Sequence, residues 1–213
     1  GEYFRATDFE YVDPAEPTTF AASAPAARRG QPNRRDFGLE RYTGEARLDV
    51  RPSANSEAIT TVGYTNVGNG LELTGANGAS QIRNWTYTNL QQRFRWNRLF
   101  LQAFVNISDA GNQDSLDTRG TFLLRSGQPI VDQSRVAVAQ VQHATDVGAR
   151  QTFVYGADYI FTNPRTAGTT NGRNEAIDDV AEYGAYVQSV TRFSPRWELT
   201  AAARLDRNDQ IDG

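Results

Sequence analysis

The sequence lacks cysteine, lysine and methionine, and it contains no long apolar run. Without cysteine it can form no disulfide, no thiolate metal site and no cysteine nucleophile. No stretch approaches the roughly 18–20 apolar residues of a membrane helix, so helical membrane proteins are excluded. All 22 basic residues are arginine, which we attribute to coding bias. The net charge of -3 is too small to indicate a nucleic-acid partner.

What the sequence does contain is eight segments, each about ten residues long, in which apolar and polar residues alternate. In the clearest segment one face carries Tyr42, Gly44, Ala46, Leu48 and Val50, and the other carries Thr43, Glu45, Arg47, Asp49 and Arg51. Successive strand side chains point to opposite faces, so this strand has one apolar and one charged wall. The pattern predicts an all-β, antiparallel up-and-down meander that forms part of a transmembrane β-barrel.

Connections of two kinds alternate between these segments. Short turns, rich in Pro, Gly, Asn and Ser, are predicted at residues 52–56, 96–98, 145–150 and 194–196. Long polar connections are predicted at residues 66–79, 108–132 and 162–180. Short turns on one side and long loops on the other are typical of an outer-membrane barrel, with its periplasmic and extracellular rims.

We expect a single domain in three parts. Residues 1–38 hold a strand end, over residues 2–12, and a long outer loop. Residues 39–206 hold four hairpin units, and residues 207–213 begin the next outer loop. The chain starts at Gly1 without a methionine or a signal peptide, and it stops inside a loop-like stretch. We therefore expect it to be a fragment of a larger barrel.

Two other architectures remain open. Eight full strands could close into a small complete barrel, but the partial strand over residues 2–12 makes the count odd, and single-chain bacterial barrels usually have an even count. The functional alternative to a receptor is a passive porin or such a small structural barrel. A soluble β-sandwich or propeller would instead bury the apolar faces under a second layer. Solvent exposure of the faces at residues 99–107 and 153–161 separates the barrel from these soluble folds.

The most specific motif lies in the last hairpin. Glu182 begins Glu-Tyr-Gly-Ala-Tyr-Val-Gln, Ser194 begins Ser-Pro-Arg-Trp-Glu-Leu-Thr, and Ala203 begins Ala-Arg-Leu-Asp. This hairpin resembles the mid-barrel of TonB-dependent outer-membrane receptors. Residues 155–159 and 2–11 resemble earlier strands of the same family.

The resemblance implies active uptake of a scarce nutrient, such as a siderophore or a glycan, across the bacterial outer membrane through a barrel of about 22 strands. It implies as partners the outer-membrane lipid, a plug domain, an inner-membrane energy-coupling protein reached through that plug, and a small-molecule ligand of unknown identity. The family's plug, coupling segment and aromatic-ended final strand have no counterpart in the sequence, so no residue here is assigned to energy coupling. We expect no enzymatic activity and no cofactor.

Trp85 and Tyr87 are the candidate ligand-binding residues. They share a strand face with Arg93 and Arg95, and aromatic rings near arginines suit a sugar or an anionic chelate. The alternative is an interfacial aromatic girdle with arginines that pair with acids of neighbouring strands. Contacts with the ligand are expected at the long-loop rim and in the upper lumen, because loops on a rigid scaffold usually carry recognition.

No catalytic residue and no metal site is predicted. His143 is the sole histidine, and a hydrolase would need a nucleophile, a base and an acid that converge, so we expect an interfacial or lumenal side chain. The acids Asp109, Asp114, Asp117, Asp178 and Asp179 lack the spacing of a calcium-binding loop and are interpreted as solvated.

One long loop is unusual because it contains apolar residues. These are Leu123, Leu124, Ile130 and Val131. They either fold the loop inward against the barrel mouth or pack it on a neighbouring loop.

Overall fold

A computed structural model of the chain describes residues 1–73, 78–110, 120–169 and 177–210. Its strands are β1 (Glu2–Thr7), β2 (Gly38–Ser53), β3 (Ser56–Leu73), β4 (Ala79–Trp96), β5 (Leu99–Asp109), β6 (Phe122–Leu123), β7 (Arg135–Val147), β8 (Gln151–Asn163), β9 (Val180–Ser194) and β10 (Trp197–Asn208). Over the described residues no helix is long and apolar enough to cross a membrane.

All ten strands belong to one antiparallel sheet. Its order is β1-β2-β3-β4-β5-β7-β8-β9-β10, and β6 pairs with the start of β4. Each long strand therefore pairs with its neighbours along the chain, which confirms the predicted up-and-down meander. The outer edges of the sheet are β1 and β10, and in lipid such edges have to be paired because no water satisfies their backbone groups.

The two faces of this sheet differ as the alternation predicts. The apolar face is open to the surroundings, with Leu48 62%, Leu101 37% and Tyr155 44% exposed. Inside the nine long strands the described buried hydrophobic side chains are few, namely Ile59, Ala79 and Val138. No second layer covers the described part of the apolar face, so the structure is a partial transmembrane β-barrel and the β-sandwich alternative is wrong.

Aromatic side chains mark both ends of the apolar face. Tyr3 and Tyr42 stack at 4.9 Å between ring centroids near the long-loop rim, and Tyr159 and Tyr183 do the same at 4.9 Å. Trp96, Phe193 and Trp197 lie beside the short turns and are largely exposed. Aromatic girdles of this kind fix a barrel at the two membrane interfaces.

The strands differ from the predicted lengths in two places. The predicted connection 66–79 is wrong, because β3 continues to Leu73 and β4 starts at Ala79, so the hairpin extends beyond the aromatic girdle. The predicted strand over residues 2–12 is also too long, since β1 ends at Thr7. There the amide of Asp8 donates to the carbonyl of Phe37 at 2.7 Å and closes the loop.

A β-bulge reverses the side-chain alternation in the β3–β4 extension. The register of β2 and β3 shifts between Glu40 and Arg41, and Asn84 has a φ of 54° opposite this point. A Cβ on Gly70 would lie 3.4 Å from Cγ1 of Val67, so these two residues share a side although they are three apart. Bulges redirect side chains in this way. Beyond Gly68, residues that a simple alternation would place on one face of the sheet therefore project from the other face.

Candidate functional site at the long-loop rim

The loop of residues 8–37 and the loop of residues 120–134 fold together at the long-loop rim, and we call this unit the outer cap. Its apolar core consists of Phe20, Ala24, Ala79, Phe122 and Leu124, with Leu71 packed against it. The rings of Phe20 and Phe122 meet edge to face at 5.6 Å. Of the four apolar residues that stood out in the second loop, Leu124 packs in this core and so holds the loop on its neighbour and on the end of β4. Val131 is buried outside this core, and Leu123 and Ile130 are half-buried.

A buried amide fixes the outer cap to the sheet. The side chain of Gln81 is fully buried, donates to Asn69 Oδ1 at 2.9 Å and to the carbonyl of Gly70 at 2.8 Å, and accepts from the amide of Asp36 at 2.8 Å. In the same region Asn33 donates to the carbonyl of Leu124. Buried polar groups need such partners, so these bonds specify one position for the loop.

Two ion pairs hold the surface of the outer cap. Arg35 forms a fork with Glu16 at 2.7 and 2.8 Å, and its guanidinium lies 5.2 Å from the ring centroid of Tyr11. Arg125 of the second loop pairs with Asp13 of the first at 2.8 Å. The amide of Ala15 and the Arg125 guanidinium lower the pKa of the Asp13 carboxyl below its ordinary value.

Acid should therefore loosen the outer cap. The Asp13 carboxylate stabilises the cap above its unfolded pKa near 3.8, and this contribution is lost as the pH falls through the lower folded value. We expect lower protection factors, that is, amide hydrogen exchange corrected for its intrinsic pH dependence, in residues 8–37 and 120–134 below about pH 4 in the wild-type receptor. D13N should exchange faster already at neutral pH and show a smaller acid response. Equal acid responses in the two proteins would contradict the prediction.

Trp85 and Tyr87 lie just below the bulge, on the polar face of β4. The Trp85 indole is half-buried and donates to Ser108 Oγ at 2.8 Å, and Ser108 in turn donates to Asp132 Oδ2 at 2.6 Å. Tyr87 is paired with Ser108 in the ladder and is 46% exposed. These hydrogen bonds fix the position of the Trp85 indole, while the phenol ring of Tyr87 remains accessible.

The arginines of the same face are remote from these rings. Arg93 lies six positions after Tyr87, which at the rise of a β-strand is about 20 Å. Arg93 and Arg95 pair with Ile59 and Glu57 near the short-turn rim. A single small ligand therefore cannot contact both the aromatic pair and these arginines.

A polar network that the sequence analysis did not predict crosses the polar face of β8, β9 and β10. Arg204 forms a fork with Asp158 at 2.8 and 3.0 Å and also pairs with Asp206 at 2.7 Å. To reach Asp158, two strands away, the guanidinium passes over Gly184. In the adjacent row Tyr186 passes over Gly156 and donates to Gln142 Oε1 at 2.7 Å. Gly156 is the ladder partner of Tyr186, whereas Gly184 is the partner of Asp206 and lies diagonal to Arg204.

His143 and the acids do not form a reactive site in the described residues. His143 lies on the apolar face near the short-turn rim, where its Nδ1 is 2.9 Å from the hydroxyl of Tyr155. Asp146, on the opposite face, pairs with Arg98 at 2.5 Å. Asp114 and Asp117 lie outside the described residues, and the described His, Asp and Glu side chains form no cluster that could hold a metal ion.

The fold and its rims define the class of protein, a transmembrane β-barrel with a folded outer loop region. The comparison with known families is more specific: a family model described as TonB dependent receptor-like, beta-barrel matches residues 3–212. The chain belongs to this family. Members are outer-membrane transporters of Gram-negative bacteria that work with a plug and an inner-membrane TonB partner, and the family is not one of enzymes. No curated protein and no solved structure matches the chain significantly.

Proposed function

We propose that this chain is a wall segment of a receptor that takes up a scarce nutrient, such as a siderophore or a glycan, through the outer membrane. The aromatic residues Trp85 and Tyr87 support this proposal, because they lie on the polar face of β4 at the long-loop end, with the Trp85 indole held by Ser108 and the Tyr87 ring accessible. All 213 residues would belong to one barrel domain, with the polar face of the sheet turned toward the plug. A passive porin would lack both the plug and the energy requirement.

Uptake by the intact receptor tests this proposal. Cells that carry the receptor should accumulate one solute from a panel of ferric siderophores and oligosaccharides, and collapse of the proton gradient should stop accumulation. Accumulation that persists without the gradient would favour the passive porin. Failure of every solute in the panel to depend on the receptor would contradict nutrient uptake of these two kinds.

Replacing both aromatics in the intact receptor, as W85A/Y87A, should weaken binding of the transported solute. Each ring that stacks on a ligand contributes about 0.5–1.5 kcal/mol beyond its buried area, so the pair should account for roughly a five- to hundredfold loss of affinity. Isothermal titration calorimetry in detergent measures the change. W85F/Y87F should retain most of the affinity, because an aromatic ring is kept at each of the two positions.

The matched control is Y64A. Tyr64 lies at the same height as Tyr87, since its neighbour Thr65 is the ladder partner of Tyr87, but it projects from the apolar face. Y64A should leave the affinity for the transported solute unchanged. An unchanged affinity in correctly folded W85A/Y87A would return the two residues to a structural role.

A further inference from the structure

The outer cap and the β3–β4 extension form an open cavity of about 660 Å³ that the proposed function does not use. We call it the arginine cavity. Three arginines are among its lining residues, namely Arg28, Arg34 and Arg83. The remaining lining residues are Phe20, Ala27, Gln31, Pro32, Gly68, Asn84 and Phe122. Ligand sites have this size range, and here cationic groups converge on one space.

The arginine cavity lies on the outer side of the wall. Glu40 Oε1 accepts from the hydroxyl of Tyr42 at 2.6 Å, so Glu40 shares the side of the aromatic girdle. Glu40 is paired with Asn69, and Asn69 with Arg83, and directly paired residues project to the same side. Arg83 therefore points away from the lumen, just beyond the girdle. The cavity is separate from the lumenal site at Trp85 and Tyr87.

Its three arginines are held in different ways. Arg28 is 5% exposed, stacks 3.8 Å from the ring centroid of Phe122 and donates to the carbonyl of Gly120 at 3.3 Å. Arg83 pairs with Asp36 at 3.2 Å. Arg34 is exposed, and no described carboxylate lies within ion-pair distance of it. The lining thus carries more positive than negative charge, with one guanidinium available.

The wall of the arginine cavity also contains a strained residue. Asn84 has a φ of 54°, in the left-handed region, where side chains other than glycine are uncommon. At Gly68, a Cβ would lie 3.4 Å from Oε2 of Glu40. Backbone strain is often found at binding sites, where the surrounding structure maintains it.

We propose that the arginine cavity binds a phosphate-bearing anion. Arginine forks match phosphate oxygens in geometry and charge, and partial burial strengthens such charge-assisted hydrogen bonds. The position just outside the girdle allows two sources of this chemistry, a phosphorylated headgroup of the outer leaflet or a free phosphorylated solute. Arg34 and Arg83 bind the anion, and Arg28 shapes the floor through its contact with Phe122.

Binding measurements on the intact receptor test this proposal. Inorganic pyrophosphate is titrated into detergent-solubilised receptor, and nanodiscs of phosphatidylcholine with or without bisphosphorylated lipid A provide the lipid arm. R34Q/R83Q should weaken binding at least tenfold in whichever arm binds, and added salt should weaken wild-type binding. R34K should retain most of it. The control R196Q removes one arginine at the short-turn rim and should leave anion binding unchanged.

Each result of these binding measurements either supports or overturns the proposal. Binding in the pyrophosphate arm that R34Q/R83Q abolishes assigns the cavity to a free anion, and binding only to lipid A assigns it to a headgroup. Absence of binding in both arms, or binding equal in wild type and R34Q/R83Q, overturns the proposal. Circular dichroism and heat-dependent electrophoretic mobility establish that R34Q/R83Q is folded. Solute uptake, measured in parallel, should be retained in R34Q/R83Q.

Discussion

A103R should destabilise the barrel by about 2–4 kcal/mol, the cost of an arginine that faces lipid at the bilayer midplane. Ala103 lies at the centre of the β5 apolar face, between Leu101 and Val105, with Ala139 opposite it on β7. Its ladder partner on β4 is Gln92, a neutral amide that already accepts from Thr60 and donates to the carbonyl of Arg93. No carboxylate is among these neighbours, so the long side chain would have to reach an interface to recover hydration. Urea unfolding of the intact receptor in lipid vesicles measures the difference.

The neighbouring residue supplies the control. Gln102 projects from the polar face and donates to Gln140 Oε1 at 3.4 Å, so Q102R places the same charge one residue away on the water-filled side. We expect it to cost less than about 1 kcal/mol, as surface substitutions usually do. Similar losses for A103R and Q102R would mean that the faces of β5 are not divided between lipid and water.

The sheet could be predicted because its determinants are local. The period-2 pattern at residues such as Leu99, Leu101 and Val105 fixes which side chains share a face, and a turn of a few residues then fixes the antiparallel partner. The structure accordingly has the predicted meander. The predicted ends of β3 and β4 were wrong because the bulge at Gly68 shifts the alternation of apolar and polar residues. Beyond this bulge the extension of the two strands no longer follows the pattern from which the strands were predicted.

The outer cap could not be predicted in this way. Its contacts join residues far apart in sequence, such as Arg28 with Gly120 and Asp13 with Arg125, and no short pattern records such pairs. The apolar stretch at Leu123 and Leu124 indicated that the loop packs on something, without showing what. Tyr11 was taken as part of a strand, whereas its ring lies against Arg35 inside the loop.

The candidate site was predicted only in part. That Trp85 and Tyr87 share a face follows from alternation, but the bond from Trp85 to Ser108 and Asp132 depends on the pairing of β4 with β5. The proposed proximity of these rings to Arg93 ignored the length of the strand. Residues that share a face of a strand thus need not share a binding site. Contact of Trp85 and Tyr87 with a ligand remains a prediction.

G156A should destabilise the barrel by about 1–3 kcal/mol through overpacking. A Cβ on Gly156 would collide with the carbonyl oxygen of Val141 on β7 and would lie 2.7 Å from the hydroxyl of Tyr186. Because the first contact is with the backbone, no side-chain rotation relieves it. Urea unfolding in lipid vesicles, compared with the wild-type receptor, gives the loss.

A second glycine of the polar face shows what the substitution costs without the collision. A Cβ on Gly63 would meet only Cβ of Asn89 at 3.8 Å, an ordinary contact, so G63A should be neutral or stabilise the barrel by up to about 1 kcal/mol. The double variant G156A/Y186A separates the two contacts of Gly156. If the backbone contact dominates, G156A costs nearly as much in the Y186A background as in the wild type. A loss that disappears with the Tyr186 ring would assign the requirement for glycine to the tyrosine that crosses it.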